Sequence, residues 1–317
     1  MTPLHALHQP LPREAVGFIE ALGLPTRESY LGATSFEEQL YVEWLASRLD
    51  FSRGQVVDFG SWLGSFARSA ARGLLSNPTA TPRMPHDLRI HAYDAFKWLK
   101  SFDAWVSDLP GAAGMKPGDD FQPLFREWVG AYAPYIDSHA ADLEVEPWTG
   151  QPIALLINDV WKSIAIADHT VHSFMPCLLP GAMLVNQDYL WHTESFIQVF
   201  MHRLRDYFEP VYQVPNGTTV SFACKQAVPA DLPHVSDFGD FTREEVEAAF
   251  AWSATFLDEV GQAILPMAKA WCLWKMGLEA EASASAREVY RSPQLSHGFV
   301  QWQLETFKRL RYGYLLG

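Results

Sequence analysis

The spacing of apolar residues changes along the chain, and each spacing predicts a different kind of element. In residues 36–45 the apolar positions fall at i, i+4, i+5 and i+8, which predicts an amphipathic helix that lies on another element as a cover. From residue 55 onward, short apolar runs alternate with helical segments. This alternation is typical of crossover units, so the sequence predicts an α/β fold built on a parallel sheet with both faces covered.

Strands, helices and one hairpin are predicted in this region. The predicted strands are 55–59, 89–94, 136–142, 153–157 and 182–185. The predicted helices run from about Ser65 to Leu75, from Ile164 to about Leu178, with Pro180-Gly181 as the stop signal, and from Phe196 to Phe208. Asn216-Gly217 lies between two further apolar runs. Because Asn-Gly is the strongest short-range hairpin signal, we expect the sheet to finish with an antiparallel pair.

The patterns divide the chain into three predicted regions. An N-terminal helical cover is predicted at 1–50, with a helix from about Arg13, followed by a core at 51–228 and a C-terminal helical extension at 229–317. A capping box from Thr242 to Glu245 opens the first helix of the extension. Because a helical appendage cannot bury its apolar face alone, we expect these helices to contact the core or a second copy of the chain, as in a homo-oligomer.

The composition narrows the classes of function. Of the 317 residues, 48% are hydrophobic and 14% aromatic, which predicts a large buried core. The net charge of −13 argues against a nucleic-acid partner, because such proteins usually present a basic patch to the phosphates. We expect no membrane partner and no secretory signal, since no apolar run approaches the roughly 18 residues that cross a bilayer. Three widely spaced cysteines do not make a disulfide framework, which favours a cytoplasmic location.

Acidic residues gather where the predicted strands end. They are Asp58, Asp94, Asp142, Asp159 and Asp188. Ligands of open α/β sheets bind beyond the carboxyl ends of the strands, so this edge is the predicted binding site. Gly60 and Gly64 permit a tight turn beside Asp58, as a nucleotide-type cofactor needs, although a dinucleotide loop would keep a third glycine. Asp94 can accept two hydrogen bonds from a ribose diol, or it can cap the following helix.

The sequence resembles the class I S-adenosylmethionine-dependent methyltransferases over roughly residues 36–225. The resemblance rests on the loop Asp58-Phe59-Gly60-Ser61-Trp62-Leu63-Gly64, on Tyr93-Asp94, on Leu179-Pro180-Gly181-Ala182 and on the Asn-Gly hairpin. It implies a Rossmann-like methyltransferase sheet, mostly parallel with the last strand antiparallel, and S-adenosylmethionine as the cofactor. It also implies which residues hold the cofactor. Asp58, Gly60, Ser61 and Gly64 would hold the methionine moiety, and Asp94 would hold the ribose. Ala141 and Asp142 would contact the adenine.

Within that superfamily, Asp159-Val160-Trp161-Lys162 resembles the Asp-x-Trp-Lys end of the fourth strand in metal-dependent, catechol-type O-methyltransferases. The resemblance implies Asp159 as a ligand of Mg²⁺ and Lys162 as the general base for an acceptor hydroxyl. A carboxylate suits a hard cation, and a nearby cation disfavours the ammonium form of a lysine. Where that group has Asp-Asn, this chain has Gln187 and Asp188, so the predicted metal set holds two carboxylates rather than three. Asp188-Tyr189 is similar also to the Asp-Asp-Tyr ending of macrolide-sugar O-methyltransferases.

Other roles for the charged residues stay open at this point. Lys162 can instead form a structural ion pair with Asp159 or Asp188. His192 is a second candidate for the general base, because it follows the end of the fifth predicted strand. His169 and His172 have ligand-like spacing on a predicted helix, but they lack a third partner in the sequence, which favours a structural role.

These features together predict an S-adenosylmethionine-dependent methyltransferase that methylates an oxygen of a small hydroxylated molecule. The long, loop-like segment 97–120 is predicted to be a lid over cofactor and acceptor. Two alternatives from other classes stay open. One is a non-catalytic, methyltransferase-like protein that binds a nucleoside or a protein partner, and the other is a nicotinamide-dependent oxidoreductase.

Overall fold

The computed structural model describes residues 34–103, 111–310 and 312–316. The helix predicted from about Arg13, and with it most of the predicted N-terminal cover, lies outside the described residues. No helix in the described part of the chain is long and apolar enough to cross a membrane.

Strands and helices alternate as far as a final hairpin, and only helical elements follow it within the described residues. The strands are β1 Gln55–Phe59, β2 Ile90–Asp94, β3 Ile136–Ala140, β4 Ile153–Asn158, β5 Leu178–Asn186, β6 Phe208–Gln213 and β7 Val220–Cys224. The α-helices are α1 Phe36–Arg48, α2 Ser65–Leu75, α3 Gln122–Val129, α4 Ile164–Ser173, α5 Phe196–Arg203, α6 Arg243–Ala254, α7 Glu259–Lys275, α8 Glu279–Arg287 and α9 Gly298–Arg309.

One sheet of seven strands, in the order β3-β2-β1-β4-β5-β7-β6, organises the described residues. β1 pairs in parallel with β2 on one side and with β4 on the other, and β2 pairs in parallel with β3. β6 and β7 pair antiparallel. The predicted fold class is confirmed: this is an α/β protein with a Rossmann-like, mostly parallel sheet that ends in an antiparallel pair. Because the strand order changes direction between β1 and β4, a ligand crevice is expected at their carboxyl ends.

The central strands explain why the predicted binding residues meet at one edge. Every residue of β1 and β4 is buried, as expected for strands covered on both faces. Phe59 aligns with Tyr93 of β2 and with Asn158 of β4. The three strands therefore end at the same level, and the residues that follow them lie close together.

The end of α4 and the start of β5 differ from the prediction. The helix ends at Ser173 rather than near Leu178, because Leu178 is already the first residue of β5. Pro180-Gly181, expected to separate helix from strand, lies inside β5 and is exposed. Proline is tolerated near the start of a strand, where its missing N–H leaves no central ladder bond broken.

The hairpin is confirmed, and it also shortens the helix before it. α5 ends at Arg203 instead of Phe208, since Phe208 pairs with Cys224 as part of β6. Apolar periodicity cannot separate a helix end from an adjoining short strand. In the turn, Asn216 has a left-handed φ of 55°, the conformation that asparagine accepts and that tight hairpins require.

α1 packs on α2 and is more deeply buried than a covering helix would be. A capping box opens it: the Ser35 hydroxyl accepts from the Glu38 amide at 3.2 Å, and the Glu38 carboxylate accepts from the Ser35 amide at 2.8 Å. Its Glu43 side chain is fully buried and pairs with Arg72 of α2 at 2.7 Å. A Cβ on Gly73 would lie 2.2 Å from the Glu43 carbonyl oxygen, so glycine there permits the close approach of the two helices. Charge neutralisation by Arg72 thus allows the polar face of α1 to be buried.

The described chain divides into two compact units. One contains residues 34–160 together with Cys177–Val185, and therefore includes β1 to β4. The other contains Trp161–Pro176 and residues 186–316, and therefore includes the hairpin and the C-terminal helices. The region boundaries predicted at residues 50 and 228, and the contact of the C-terminal helices with a second copy, stay predictions.

The two ends of segment 97–120, which is predicted to be a lid, are hydrogen-bonded to each other. Lys97 and Asp120 form an antiparallel bridge. The Trp98 amide donates to the Asp119 carbonyl at 2.8 Å, and the Gly118 amide donates to the Trp98 carbonyl at 2.9 Å. The Trp98 side chain is buried beside Phe121. Any lid motion must therefore come from within the loop, part of which (104–110) lies outside the described residues.

We predict that Glu43→Ala lowers the free energy of unfolding by about 3–5 kcal/mol, because it leaves the Arg72 guanidinium buried without its carboxylate. Urea denaturation measures the change. Arg48→Gln, an exposed site in the last turn of the same helix, is the control and should cost less than about 1 kcal/mol. Equal losses in the two variants would contradict a structural role for the buried pair.

Candidate functional site

The loop after β1 turns back sharply through left-handed backbone. Gly60 and Gly64 have φ values of +93° and +82°, and a Cβ on Gly60 would lie 2.5 Å from the Asp159 carbonyl oxygen. The Gly60 and Ser61 amides both donate to the Tyr93 carbonyl, at 2.9 and 3.1 Å. The loop is therefore fixed to the end of β2, and glycine at position 60 is required both by conformation and by space.

Asp94, at the end of β2, holds this loop through its carboxylate. One oxygen accepts from the Trp62 amide at 2.9 Å, and the other accepts from the Phe96 amide at 2.8 Å. Both donors have left-handed φ values, 43° for Trp62 and 49° for Phe96. Burial raises the pKa of Asp94, and the two amide hydrogen bonds oppose that shift. Each carboxylate oxygen offers more than one lone pair, so Asp94 can hold the loop and still accept from a ligand hydroxyl.

Asp58 lies beneath the same loop with its carboxylate fully buried. Neither carboxylate oxygen accepts a hydrogen bond of normal geometry within the described residues. Burial raises the pKa of Asp58 from its ordinary 3.8 to about 7; the neighbouring Ser61 hydroxyl opposes the rise, and the carboxylates of Asp159 and Asp94 add to it. A buried carboxylate in this state is suited to pair with a cationic group of a ligand.

The residues predicted to meet the adenine follow β3. The Ala141 amide donates to the Asp94 carbonyl at 3.0 Å, which ties this turn to the end of β2. Asp142 is exposed, and its carboxylate accepts from the Glu144 amide of its own turn at 3.1 Å. The structure thus brings Asp58, Asp94 and Ala141 to one edge, while the Asp142 side chain is engaged in local structure.

A second polar cluster surrounds Lys162. Its ammonium contacts the Asp188 carboxylate directly, so an ion pair of the kind expected from the sequence is present. The other Asp188 oxygen accepts from the Thr218 hydroxyl at 3.2 Å, and the Gln187 amide donates to the same Thr218 oxygen at 3.1 Å. An ammonium is a hydrogen-bond donor without a lone pair, so Lys162 must lose a proton before it can act as a base.

This cluster does not fit the predicted magnesium site. Gln187 offers a buried carbonyl oxygen without a hydrogen-bond partner among the described residues. Both oxygens of Asp188, however, are engaged, one by the Lys162 ammonium and one by Thr218. A divalent cation would have to displace a positive charge from its own carboxylate ligand. The described donor set therefore gives no support to Mg²⁺ at Asp159, Gln187 and Asp188.

His192 is buried and its ring is held in one orientation. Its Nδ1 lies 2.6 Å from the Gln303 side-chain oxygen, and the Gln303 amide nitrogen donates to the Leu190 carbonyl at 3.2 Å. The amide oxygen can only accept, so Nδ1 carries the proton and Nε2 is left with its lone pair. Nε2 has no hydrogen-bond partner among the described residues. Burial lowers the pKa of His192 to about 4, so the ring is neutral at neutral pH.

Two further polar residues lie here and were missed from the sequence: Glu194, near Lys162, and Gln303, which contacts His192. Burial raises the pKa of Glu194 to about 7, the Lys162 ammonium opposes the rise, and the Asp188 carboxylate adds to it. Gln303 lies 111 residues from His192 along the chain, so no local pattern could have indicated their contact. The acidic side chain at position 194, close after His192, was the only signal in the sequence.

No protein-family model and no curated protein matches the sequence. Several solved structures share the fold at low identity. CalS11, a calicheamicin methyltransferase, is 16% identical with a TM-score of 0.44, over 68% of this chain and 87% of its own. The O-methyltransferase NovP is 12% identical with a TM-score of 0.45, over 61% of this chain and 81% of its own. The N-methyltransferase NodS from Bradyrhizobium japonicum, solved with S-adenosyl-L-homocysteine, is 11% identical with a TM-score of 0.36, over 63% and 96%.

The fold of this protein is a Rossmann-like α/β fold. The assignment of the fold rests on the strand order, on the parallel pairs β1–β2, β1–β4 and β2–β3, and on the antiparallel pair β6–β7. The polar residues predicted from the resemblance lie at the carboxyl ends of the strands. Their roles stay predictions.

We predict that Asp58 makes stability depend on pH in a definite direction. Because its pKa of about 7 in the folded protein exceeds the ordinary 3.8, the folded state holds a proton that the unfolded state has lost. The contribution is present below about pH 4 and is lost as the pH rises to about 7. Relative to wild type, Asp58→Asn should therefore gain stability steadily between these values.

Denaturant titrations at intervals from pH 4 to pH 8 measure this difference. Asp50→Asn is the control, because Asp50 is exposed and its pKa is lowered, so its contribution changes only at more acidic pH. A difference between wild type and Asp58→Asn that does not vary with pH would show that Asp58 is ionised throughout.

Proposed function

We propose that this protein transfers a methyl group from S-adenosylmethionine to an oxygen of a small hydroxylated molecule. The observation that carries the proposal is the buried carboxylate of Asp58 beneath the loop after β1, which has no cationic partner among the described residues, with Asp94 at the end of the adjacent strand. An amino-acid nucleoside offers a matching pair of groups, an ammonium for the first carboxylate and a ribose diol for the second.

The residues at this edge fit that cofactor. Asp58 would hold the amino group, the amide-rich loop from Gly60 to Gly64 would lie along the methionine moiety, and Asp94 would accept from the ribose hydroxyls. When bound, the cofactor supplies an electrophilic methyl group. The left-handed backbone at Gly60 and Gly64 gives the loop the sharp turn that brings its main chain back to the ends of β1 and β2.

An acceptor hydroxyl must lose its proton, and two residues are candidates for that step. His192 presents a neutral ring with a bare Nε2, oriented through Nδ1 by Gln303. Lys162 is an ammonium that contacts Asp188, with Glu194 nearby. We therefore propose His192 as the proton acceptor and Lys162 as the positive group that stabilises charge developing on the oxygen, a role that needs no metal ion.

We predict that the cofactor product binds with release of a proton. At pH 6 Asp58 is mostly protonated, because its pKa is about 7, and pairing with an ammonium requires the carboxylate. Titration calorimetry with S-adenosylhomocysteine, in two buffers that differ in ionisation enthalpy, should show release approaching one proton at pH 6 and almost none at pH 8.

Two variants assign this proton. Asp58→Asn should abolish the release and weaken binding, whereas Asp94→Ala should weaken binding at least tenfold, about 1.4 kcal/mol, and keep the release. Unaltered proton release in Asp58→Asn would rule out its pairing with the ligand. An absence of binding by the folded wild-type protein would remove the proposed cofactor.

We predict that Lys162→Ala reduces turnover on the order of a hundredfold or more and leaves affinity for S-adenosylhomocysteine nearly unchanged. A panel of hydroxylated acceptors, assayed for methyl transfer, measures turnover. Lys162→Arg is the matched variant, since arginine keeps the positive charge and cannot serve as a base at neutral pH.

The arginine variant should keep turnover within about tenfold of wild type if Lys162 acts through its charge. A loss as complete as that of Lys162→Ala would move the base from His192 to Lys162. Full activity in Lys162→Ala would exclude both roles.

A further inference from the structure

A cluster of two histidines and an aspartate lies outside the proposed methyl-transfer site. Asp168 and His172 come from α4, and His234 comes from the segment that follows β7 and precedes α6. The His234 Nδ1 lies 2.7 Å from one Asp168 oxygen, and the His172 Nδ1 lies 3.6 Å from the other. One ligand atom from each of the three residues falls within 4.8 Å of the other two. The structure thus supplies His172 with the third partner that the sequence lacked, and that partner is His234 rather than His169.

The surroundings of the His172 ring are incompatible with a simple neutral imidazole. Its Nδ1 lies 2.7 Å from the Asp168 carbonyl oxygen, and its Nε2 lies 2.9 Å from the Leu232 carbonyl oxygen. Carbonyl oxygens only accept, and a neutral ring has one N–H, so one nitrogen would face an oxygen lone pair. A cation bound at Nδ1, with the proton of the ring on Nε2, would resolve the conflict.

We propose that Asp168, His172 and His234 bind a divalent transition-metal ion of the zinc type. Two imidazole nitrogens and one carboxylate oxygen form a donor set that suits Zn²⁺, whereas Mg²⁺ and Ca²⁺ prefer oxygen ligands alone. The His234 side chain is 72% exposed, so water can reach the open side and provide a fourth ligand. The ion would replace the proton that His234 now shares with Asp168, and it would sit at Nδ1 of His172.

Hydrogen bonds around the three residues already hold them as a metal site requires. The Nε2–H of His172 would donate to the Leu232 carbonyl, and Nδ1 would exchange its present contact with the Asp168 carbonyl for the ion. The second Asp168 oxygen accepts from the Val235 amide at 2.8 Å, and the His172 and His234 rings stack with centroids 3.8 Å apart. These contacts fix the carboxylate and both rings on the same side of α4. A bound ion would fasten the 232–235 segment to α4.

Zinc titration of the full chain, after treatment with a chelator and in competition with a chromophoric zinc indicator, tests the proposal. The expected result is one Zn²⁺ per chain, with at least tenfold weaker binding in His234→Ala and in Asp168→Asn. His169→Ala is the matched control, because His169 lies on the same helix and contacts Ser173 rather than this cluster, and it should bind zinc like wild type. The melting temperature should rise on addition of zinc in wild type and in His169→Ala, and stay unchanged in His234→Ala.

Two results would overturn the proposal. One is zinc binding by His234→Ala with the affinity and stoichiometry of wild type, which would place the ion elsewhere, for example at the half-buried thiol of Cys177. The other is an absence of zinc binding by the folded wild-type chain at 100-fold molar excess, which would show that the three residues do not form a metal site. Because His234 is largely exposed, its replacement is expected to preserve the fold, so a negative result in the variant reports on the ligand itself.

Discussion

The Asp94 carboxylate accepts hydrogen bonds from two main-chain amides whose residues have strained, left-handed backbone. The candidate cofactor site depends on these two hydrogen bonds. Asp94 accepts from Trp62 on one side and from Phe96 on the other, and both donors have left-handed backbone that non-glycine residues rarely adopt. Without the carboxylate, the loop after β1 and the turn after β2 would lose the contact that compensates their strain. The parallel pairing of β1 with β2 places the two segments side by side. The sheet thus aligns the ends of β1 and β2, and the Asp94 carboxylate holds the two segments that follow them together.

Buried carboxylates with raised pKa values lie at the candidate site, whereas a buried carboxylate elsewhere in the fold pairs with a cation. Glu43 and Arg72 neutralise each other in the packing of α1 on α2. Asp58, by contrast, is buried with no cationic partner among the described residues and has a raised pKa. Glu194 has a raised pKa beside one ammonium, Lys162, which is already engaged by Asp188. Burying a carboxylate without a cation costs free energy. A positively charged ligand that binds beside such a carboxylate would remove this cost.

Much of the fold was predictable because burial on both faces leaves a strong trace in the sequence. The run that forms β4 is apolar up to its last residue, the core of β1 is Val56-Val57, and Asn216-Gly217 fixes the hairpin. The helix ends at Ser173 and Arg203 were not predictable, since apolar residues just beyond them serve the next strand. The positions of Asp58 and Asp94 followed from strand ends, because parallel strands end at one edge.

The remaining features of the site depend on contacts between distant parts of the chain. The sequence left the partner of Lys162 undecided between two aspartates, and the structure shows a contact with Asp188. Gln303 orients His192 from the last described α-helix, and His234 reaches His172 from the far side of the sheet's final hairpin. No periodicity connects such pairs. The predicted magnesium ligands stay a prediction without support from the structure, since the ammonium of Lys162 contacts the carboxylate of Asp188.

A crystal structure of the protein with S-adenosylhomocysteine bound would test the central claim most directly. The account predicts the ligand at the carboxyl ends of β1 and β2, with its amino group at the Asp58 carboxylate and its ribose hydroxyls at Asp94. Density for the ligand away from the Gly60 to Gly64 loop, or a bound ligand whose amino group leaves Asp58 unpartnered, would contradict it.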